Sequence, residues 1–265
     1  MFLSHLFMTL KKPNFHYPKK NTLNHRLLQF MFLCLLAFTS CNPLYQATRV
    51  NHKEYKVMNM RTDSTVQKFL RPYRDSMSSS MTEVLGQLET DLEKNQPECT
   101  LGNFMVDAMY SMAQKKYGIT PDAAFMNFGG IRLPSIKAGT VTKGKIYELF
   151  PFDNILLLVK IKGDVLQQFL DHISARGGWP VAGMTMQIQN KKAVNVLIGS
   201  KPIDTAKQYT IAIGDYTANG GDDAAMLKEL PQINNGYLMR DALIDYVKTI
   251  RTIKVQLQKR VTNAE

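Results

Sequence analysis

The stretch Ile155-Leu156-Leu157-Leu158-Val159-Lys160-Ile161 is apolar at six of its seven positions. A strand that is apolar on both faces is typical of the centre of a sheet that is covered on both sides. Residues 163–174 follow directly, and their apolar side chains recur at helical spacing at Val165, Phe169, Leu170 and Ile173. The stretch therefore predicts a central strand that is followed by an amphipathic helix.

Further elements are predicted on both sides of this pair from apolar periodicity. Strands are expected over 54–60, 123–126, 184–188, 193–198 and 209–213. Helices are expected over 64–75, 81–95, 104–112, 146–150 and 237–250, with the serine-rich run 76–80 separating the first two. Strands that come in separate groups, some of them as hairpins, with helices between them predict an α+β domain with a mixed sheet.

Three short polar segments stand beside these elements and are typical of the walls of a nucleotide pocket. They are Asn127-Phe128-Gly129-Gly130-Ile131-Arg132, Pro151-Phe152-Asp153-Asn154 and Tyr216-Thr217-Ala218-Asn219-Gly220-Gly221-Asp222. A base has two π faces, so Phe152 and Tyr216 are candidates for an aromatic clamp. Asp222 follows two glycines that allow close backbone approach, and its carboxylate suits the vicinal hydroxyls of a ribose.

The remaining polar groups complete the predicted substrate site. Arg132 carries a planar fork of donors for phosphate or ribose oxygens, and Asn127 and Asn154 carry amides that suit base edges. Loop-forming roles are assigned to Gly129, Gly130, Asn219, Gly220 and Gly221. A single segment of this type, taken alone, is usually only a tight turn without a binding function. The order and spacing of all three segments together favour a binding pocket.

These segments resemble the C-terminal substrate-binding domain of the 5′-nucleotidase and UDP-sugar hydrolase family. The resemblance extends to Glu98-Cys99-Thr100-Leu101-Gly102-Asn103 at a helix start and to Lys162-Gly163-Asp164-Val165-Leu166, and covers about residues 64–250. It implies that Phe152 and Tyr216 sandwich the base and that Asp222 holds the ribose. It also implies that Arg132 and Asn127 complete the pocket.

Two positions depart from the family pattern. Family members generally carry an arginine just before the Glu-Cys helix start, where this sequence has Pro97, so Lys94 or another cation would have to take its place. Tyr216 stands where phenylalanine is common, which keeps the stacking face and adds a hydroxyl. The first departure removes a cation that would bind the nucleotide, and the second is expected to change base stacking little.

The family's metallophosphatase domain, which normally precedes this one, has no counterpart in the sequence. A two-metal phosphoesterase site needs several His, Asp and Asn ligands, and neither Asp-x-His nor Gly-Asn-His-Glu occurs. Beyond the first forty residues the histidines are His52 and His172, and His172 is at helical spacing in a predicted helix. We therefore expect no metal site, catalytic residue or cofactor in this chain, and divalent metals only in a partner.

The first forty residues have the pattern of an export signal. They contain five Lys and Arg residues and no acid, followed by an apolar run over 27–38 and then Thr39-Ser40-Cys41. This pattern predicts a bacterial lipoprotein signal over 1–40, with Cys41 as the lipidated residue, a tether over 41–51 and the domain over 52–265. An ordinary secretory signal and a membrane anchor are the alternatives, and translation could also start at Met8 or Met31.

Charge and cysteine content limit the function classes. The net charge is +11, and removing the five basic residues of the predicted signal leaves 28 basic against 22 acidic residues, or +6. So small an excess is no nucleic-acid footprint. Cys99 is the one cysteine beyond Cys41 in the predicted mature chain, and it is expected to pack at a helix start.

The sequence thus predicts an exported, membrane-anchored lipoprotein at the periplasmic or outer-membrane face. Its expected role is to bind a nucleotide or nucleoside as the substrate-specificity domain of a split 5′-nucleotidase, whose metallophosphatase is a separate chain. A non-enzymatic nucleoside or nucleotide binding protein of the cell surface is the alternative. A degenerate domain kept as a structural module is a third, supported by Pro97 alone.

Overall fold

A five-stranded mixed sheet is the centre of the domain in the computed structural model, which describes residues 29–32 and 63–264. Residues 29–32 are helical and exposed, and everything that follows concerns residues 63–264. The helices are α1 (Ser64–Met81), α2 (Thr100–Tyr117), α3 (Lys143–Leu149), α4 (Gly163–Ser174), α5 (Asp215–Ala218) and α6 (Met239–Ile250).

The strands number fourteen in the described part of the chain, and many of them are short. They are β1 (Val84–Leu88), β2 (Leu92–Glu93), β3 (Ala123–Phe125), β4 (Ser135–Ile136), β5 (Gly139–Thr142), β6 (Leu156–Lys162), β7 (Val181–Ala182), β8 (Met184–Gln189), β9 (Lys192–Ile198), β10 (Lys201–Pro202), β11 (Gln208–Gly214), β12 (Gln232–Ile233), β13 (Thr252–Ile253) and β14 (Val261–Asn263).

Strand β6 lies inside the central sheet, whose order is β12-β6-β11-β3-β7. Its side chains alternate between two cores: Leu156 and Leu158 pack with α2 and α6, while Leu157 and Val159 pack with α4 on the other face. Because both faces are covered by helices, every position of the strand's first half must be apolar. The predicted central strand, the helix after it and the α+β class are confirmed.

The smaller sheets surround this centre. Their orders are β13-β1-β5, β10-β9-β8-β14 and β2-β4. The antiparallel pair β8 and β9 confirms the predicted hairpin, and α2, α6, β3 and β11 confirm the corresponding predicted elements within a few residues. The predicted strand over 54–60 lies outside the described residues.

The prediction of a helix over 81–95 is wrong. That segment forms β1 and β2, and α1 runs without interruption through the serine-rich run to Met81. Leu85, Leu88 and Leu92 are all buried, and their spacing suits a helix as well as two short strands separated by a turn. Pairing of β1 with β13 and β5, which are distant in sequence, decides in favour of strands.

Candidate functional site

The sheet topology brings the three polar segments to the same end of the strands of the central sheet. Strands β3 and β11 are parallel, so the segments that follow them leave the sheet at the same end. Strand β6 is antiparallel to β11, so the segment that precedes β6 arrives at that same end. Ligands of open sheets commonly bind outside such an end, where loops from several strands meet.

A cavity of about 440 Å³ lies between these segments. Its lining consists of Asn127, Gly129, Gly130, Arg132, Phe150, Phe152, Asn154, Tyr216 and Asp222. All six side chains proposed for substrate binding thus face one cavity, together with two of the five loop residues. The volume falls within the range of small-molecule sites.

Phe152 is held in place by contacts on several sides. The Arg132 guanidinium lies over its ring at 4.8 Å from the centroid, and the ring of Phe150 meets it edge-on at 5.4 Å. Its backbone carbonyl accepts a hydrogen bond of 3.1 Å from Nη1 of Arg240, whose Nη2 donates to Asp153. The aromatic wall is therefore supported by a helix α6 cation that the sequence prediction missed.

Arg240 itself is 7% exposed. Its guanidinium lies 4.2 Å from the ring centroid of Tyr147 and ion-pairs with Asp153, one residue after Phe152. A buried arginine with a carboxylate partner and a planar aromatic contact is a rigid support. Its signal in sequence is weak, because Met239-Arg240-Asp241 starts an ordinary amphipathic helix.

Tyr216 is the second candidate aromatic group in the lining of the cavity and is 50% exposed. It lies in the first turn of α5, directly after β11. Gly221 packs against it so closely that a Cβ there would lie 2.6 Å from Cε1 and Cζ of the ring and 2.5 Å from the Tyr216 carbonyl oxygen. The second glycine of the Asn-Gly-Gly-Asp segment is therefore required by this contact.

The Asp222 carboxylate is bound on both oxygens. Nδ2 of Asn127 donates to Oδ2 at 2.8 Å, and the Tyr216 hydroxyl donates to Oδ1 at 3.3 Å. The backbone N–H of Asp222 in turn donates to the Tyr216 hydroxyl at 3.2 Å. The bond from Asn127 connects the first polar segment to the third, and the two bonds between Tyr216 and Asp222 hold the third segment together.

Asp222 also has a left-handed backbone, with φ 52° and ψ 35°. Only a few per cent of non-glycine residues have positive φ, and Asp is among those that tolerate it. Gly220, at φ 92°, makes the turn that leads into it. The conformation aims the carboxylate at Asn127, and the surrounding contacts hold it there.

A second support of Asp222 comes from helix α4. Nε2 of His172 lies 2.9 Å from the Asp222 carbonyl oxygen, and Nδ1 lies 3.1 Å from Nη1 of Arg176. A carbonyl only accepts and a guanidinium only donates, so both contacts require the neutral imidazole with its proton on Nε2. Arg176 also ion-pairs with Asp223 at 2.8 Å. His172 is thus a support for the loop.

The other predicted loop residues have distinct surroundings. Gly130 allows the Asn127 amide to lie against it, since a Cβ would be 2.6 Å from Oδ1, whereas Gly129 faces open space. Asn219 ends α5, and its Nδ2 donates to the Asp215 carbonyl at 2.8 Å. Gly130 is therefore needed for space, and Gly129 is not.

The similarity to known proteins agrees with this geometry. The profile of the family described as "5'-nucleotidase, C-terminal domain" matches residues 81–229, which is more than half of the chain and includes all three segments. The chain belongs to the 5′-nucleotidase C-terminal domain family. The resemblance stated from the motifs is confirmed.

Individual members of the family are considerably longer than the region they share with this chain. The 5′-nucleotidase of Vibrio parahaemolyticus is 30% identical over 207 residues, which are 73% of this chain and 35% of that protein. The 5′-nucleotidase of Vibrio cholerae is 29% identical over 228 residues, 80% of this chain and 40% of that protein. The chain therefore spans about two fifths of these relatives' length.

A solved structure shows the same fold. The 5′-nucleotidase precursor from Thermus thermophilus superposes with a TM-score of 0.67 at 25% identity, over 75% of this chain and 43% of that one. Haemophilus influenzae NAD nucleotidase gives a TM-score of 0.61 at 20% identity, over 77% of this chain and 42% of that one. The second similarity concerns the fold alone.

Lys94, the candidate replacement for the missing family arginine, contacts the loop 127–132 and is not part of the lining of the cavity. Its Nζ donates to the Ile131 carbonyl at 2.8 Å and lies 4.2 Å from the centroid of the Phe128 ring. Burial lowers the pKa of Lys94, and the positive charge of Arg132 lowers it further. Through its bond to the Ile131 carbonyl, Lys94 supports the loop directly before Arg132.

Within 29–32 and 63–264, no group of three or more His, Cys, Asp or Glu side chains is placed to hold a metal ion. No helix in those same ranges is long and apolar enough to cross a membrane.

Cys99 is buried and starts α2, where its Sγ accepts from the Gly102 N–H at 3.2 Å.

Proposed function

We propose that this domain binds a nucleotide or nucleoside and provides substrate specificity to a split 5′-nucleotidase. The observation that carries the proposal is the cavity between Phe152 and Tyr216 with Asp222 at its wall. Two aromatic rings suit a base, and a carboxylate suits ribose hydroxyls. The names of the Vibrio relatives support the same ligand class.

In this proposal, hydrolysis is carried out by a metallophosphatase on a separate chain. A two-metal centre activates water and stabilises the leaving oxygen, and that part of the reaction is assigned to the partner. This chain's contribution is to hold the nucleotide in place for attack, because positioning alone accounts for a large part of many rate enhancements. Arg132 is the cation of the cavity available for a phosphate.

Helix α1 offers a surface for such a partner. Five apolar side chains lie on one face at helical spacing, and each is at least 43% exposed: Val66, Phe69, Leu70, Tyr73 and Met77. None of the residues of α1 is buried. The family match begins at residue 81, where this helix ends, and the longer relatives carry additional chain. We propose that this apolar face binds the metallophosphatase.

The primary test is calorimetric titration of AMP and adenosine into the full chain, with metal analysis and a phosphatase assay on the same sample. Binding without hydrolysis is the expected result. Absence of binding to either ligand would refute the pocket assignment. Hydrolysis by the purified chain alone would refute the division of labour.

The partner is tested by mixing the full chain with candidate metallophosphatases of the same organism, beginning with any that is encoded beside this gene. A complex that accelerates AMP hydrolysis is expected. The Phe69→Ser/Tyr73→Ser double variant should weaken the complex at least tenfold, since each buried aromatic contributes about 1.5–3 kcal/mol. Asp75→Ser, on the opposite face of α1, is the matched control. Equal effects of both changes would refute this docking surface.

Cys41 lies outside the described residues, and its lipidation remains a proposal. The basic segment, the apolar run and Thr39-Ser40-Cys41 support attachment to a membrane by lipid on the exported side. Mass spectrometry of the protein from its native membrane tests it: a diacylated or triacylated N-terminal Cys41 is expected, and an unmodified Cys41 within a longer chain would refute it.

A further inference from the structure

We infer that the Tyr216 hydroxyl is a positioning group that orients the Asp222 carboxylate toward a vicinal diol, and thereby selects ribose over deoxyribose. The inference rests on the proposed nucleotide-binding function. It concerns a hydroxyl that the aromatic clamp does not need, because a phenylalanine ring stacks on a base equally well.

The number of acceptor positions on the carboxylate carries the argument. An ionised carboxylate has about four lone-pair positions on its two oxygens. Asn127 occupies one on Oδ2 and the Tyr216 hydroxyl occupies one on Oδ1. One position therefore remains on each oxygen, which matches two neighbouring hydroxyls of a ribose. A deoxyribose supplies one hydroxyl fewer and leaves one of these positions without a sugar partner.

The Tyr216 hydroxyl binds both the backbone and the side chain of Asp222. It accepts from the backbone N–H of Asp222 while donating to Oδ1, so it spans the rotatable bonds between backbone and carboxylate. The backbone in question has positive φ, a conformation with few alternatives for a non-glycine residue. A single hydroxyl thus restrains both ends of the Asp222 side chain.

Further contacts hold the loop 221–223 in place independently of the Tyr216 hydroxyl. His172 binds the Asp222 carbonyl at 2.9 Å, and Arg176 ion-pairs with Asp223. Gly221 fits under the Tyr216 ring with no space for a Cβ. The loop is therefore anchored at 221, 222 and 223, and the carboxylate is the part that Tyr216 still has to orient.

The test compares parent and Tyr216→Phe full chains in titrations with AMP, 2′-deoxy-AMP and 3′-deoxy-AMP. The parent is expected to prefer AMP over either deoxy ligand by about tenfold or more, which is in the range of one lost hydrogen bond to a charged group. In Tyr216→Phe that preference should fall by about three- to tenfold, with affinity for the deoxy ligands within about twofold of the parent.

Controls separate the possible failures. Tyr110→Phe removes a hydroxyl from helix α2, outside the lining of the cavity, and should leave all three affinities unchanged. Trp179, the only tryptophan in the sequence, lines a second cleft of about 260 Å³, which Asp222 also lines. Unchanged Trp179 emission in Tyr216→Phe shows that the loop remains folded.

Three results would overturn the inference. Equal effects on AMP and the deoxy ligands in Tyr216→Phe, including no loss for any of them, would mean that the hydroxyl does not act through the ribose, and the proposed function would stand. A parent without ribose preference would refute the diol assignment. A parent that binds none of the three ligands would refute the proposed function together with the inference.

Discussion

The close contact between Gly221 and Tyr216 leads to a quantitative prediction. In Gly221→Ala, the new Cβ would lie 2.5 Å from the Tyr216 carbonyl oxygen and 2.6 Å from two ring carbons. Real Cβ contacts essentially never fall below 3.0 Å, so the neighbours must move by about half an ångström or more. The carbonyl belongs to the first turn of α5 and has little freedom to move. The cost of such overpacking is typically about 1–3 kcal/mol.

Gly129→Ala is the matched control, because a Cβ at that position meets nothing within 4 Å. Both changes reduce the entropy of the unfolded chain, which stabilises each variant by about 0.4–1 kcal/mol. This gain cancels when the two variants are compared. Gly221→Ala should therefore have a free energy of unfolding about 1–3 kcal/mol below that of Gly129→Ala.

Thermal unfolding of the two full-chain variants measures the difference. For a domain of about this size, each kcal/mol shifts Tm by about 2–4 °C. The expected Tm of Gly221→Ala is thus about 2–12 °C below that of Gly129→Ala. Its affinity for AMP should also fall, because the Tyr216 ring has to move. Equal Tm values would refute the contact and with it the reason given for this glycine.

Three further predictions concern the supports of the site. Phe152→Ala should weaken AMP binding in titrations about 5- to 150-fold, equivalent to about 1–3 kcal/mol of base stacking. Phe152→Leu keeps the apolar bulk but not the ring, so it should also bind AMP more weakly than the parent. Unchanged affinity in Phe152→Ala would refute the aromatic clamp. Arg240→Met should lower both AMP affinity and stability by about 1–3 kcal/mol, because Asp153 and the Phe152 carbonyl lose their donor; urea unfolding with no change would contradict that role. Arg260→Met should lower stability by a similar amount and leave AMP affinity unchanged, since its bonds to Asp107 lie outside the cavity.

The accuracy of the sequence predictions depended on how local each signal was. The predictions of a strand over 155–161 and a helix over 163–174 are correct because each apolar pattern fits only one kind of buried element. The segment 81–95 was misassigned because its leucine spacing suits two structures. Pairing of β1 with β13, more than 160 residues later, is invisible to any local pattern.

For the site, the chemistry of each group could be predicted from residue types, but not the supports that hold them. Phe152, Tyr216 and Asp222 can be predicted because rings, carboxylates and glycine turns have specific uses in binding a nucleoside. Arg240 and His172 give no such signal, because on an amphipathic helix each is one polar residue among several. Their roles depend on partners 88 and 50 residues away.

Residue types and their order along the chain determine the family, the central strand and the kinds of group available at the pocket. The folded chain determines which of those groups meet: parallel β3 and β11 and antiparallel β6 bring three distant loops to one sheet edge. It also determines the Asp222 orientation, through bonds from Asn127 and Tyr216. Residue types set which hydrogen bonds are possible, whereas their formation requires a distance and an angle that arise only when long-range strand pairing closes.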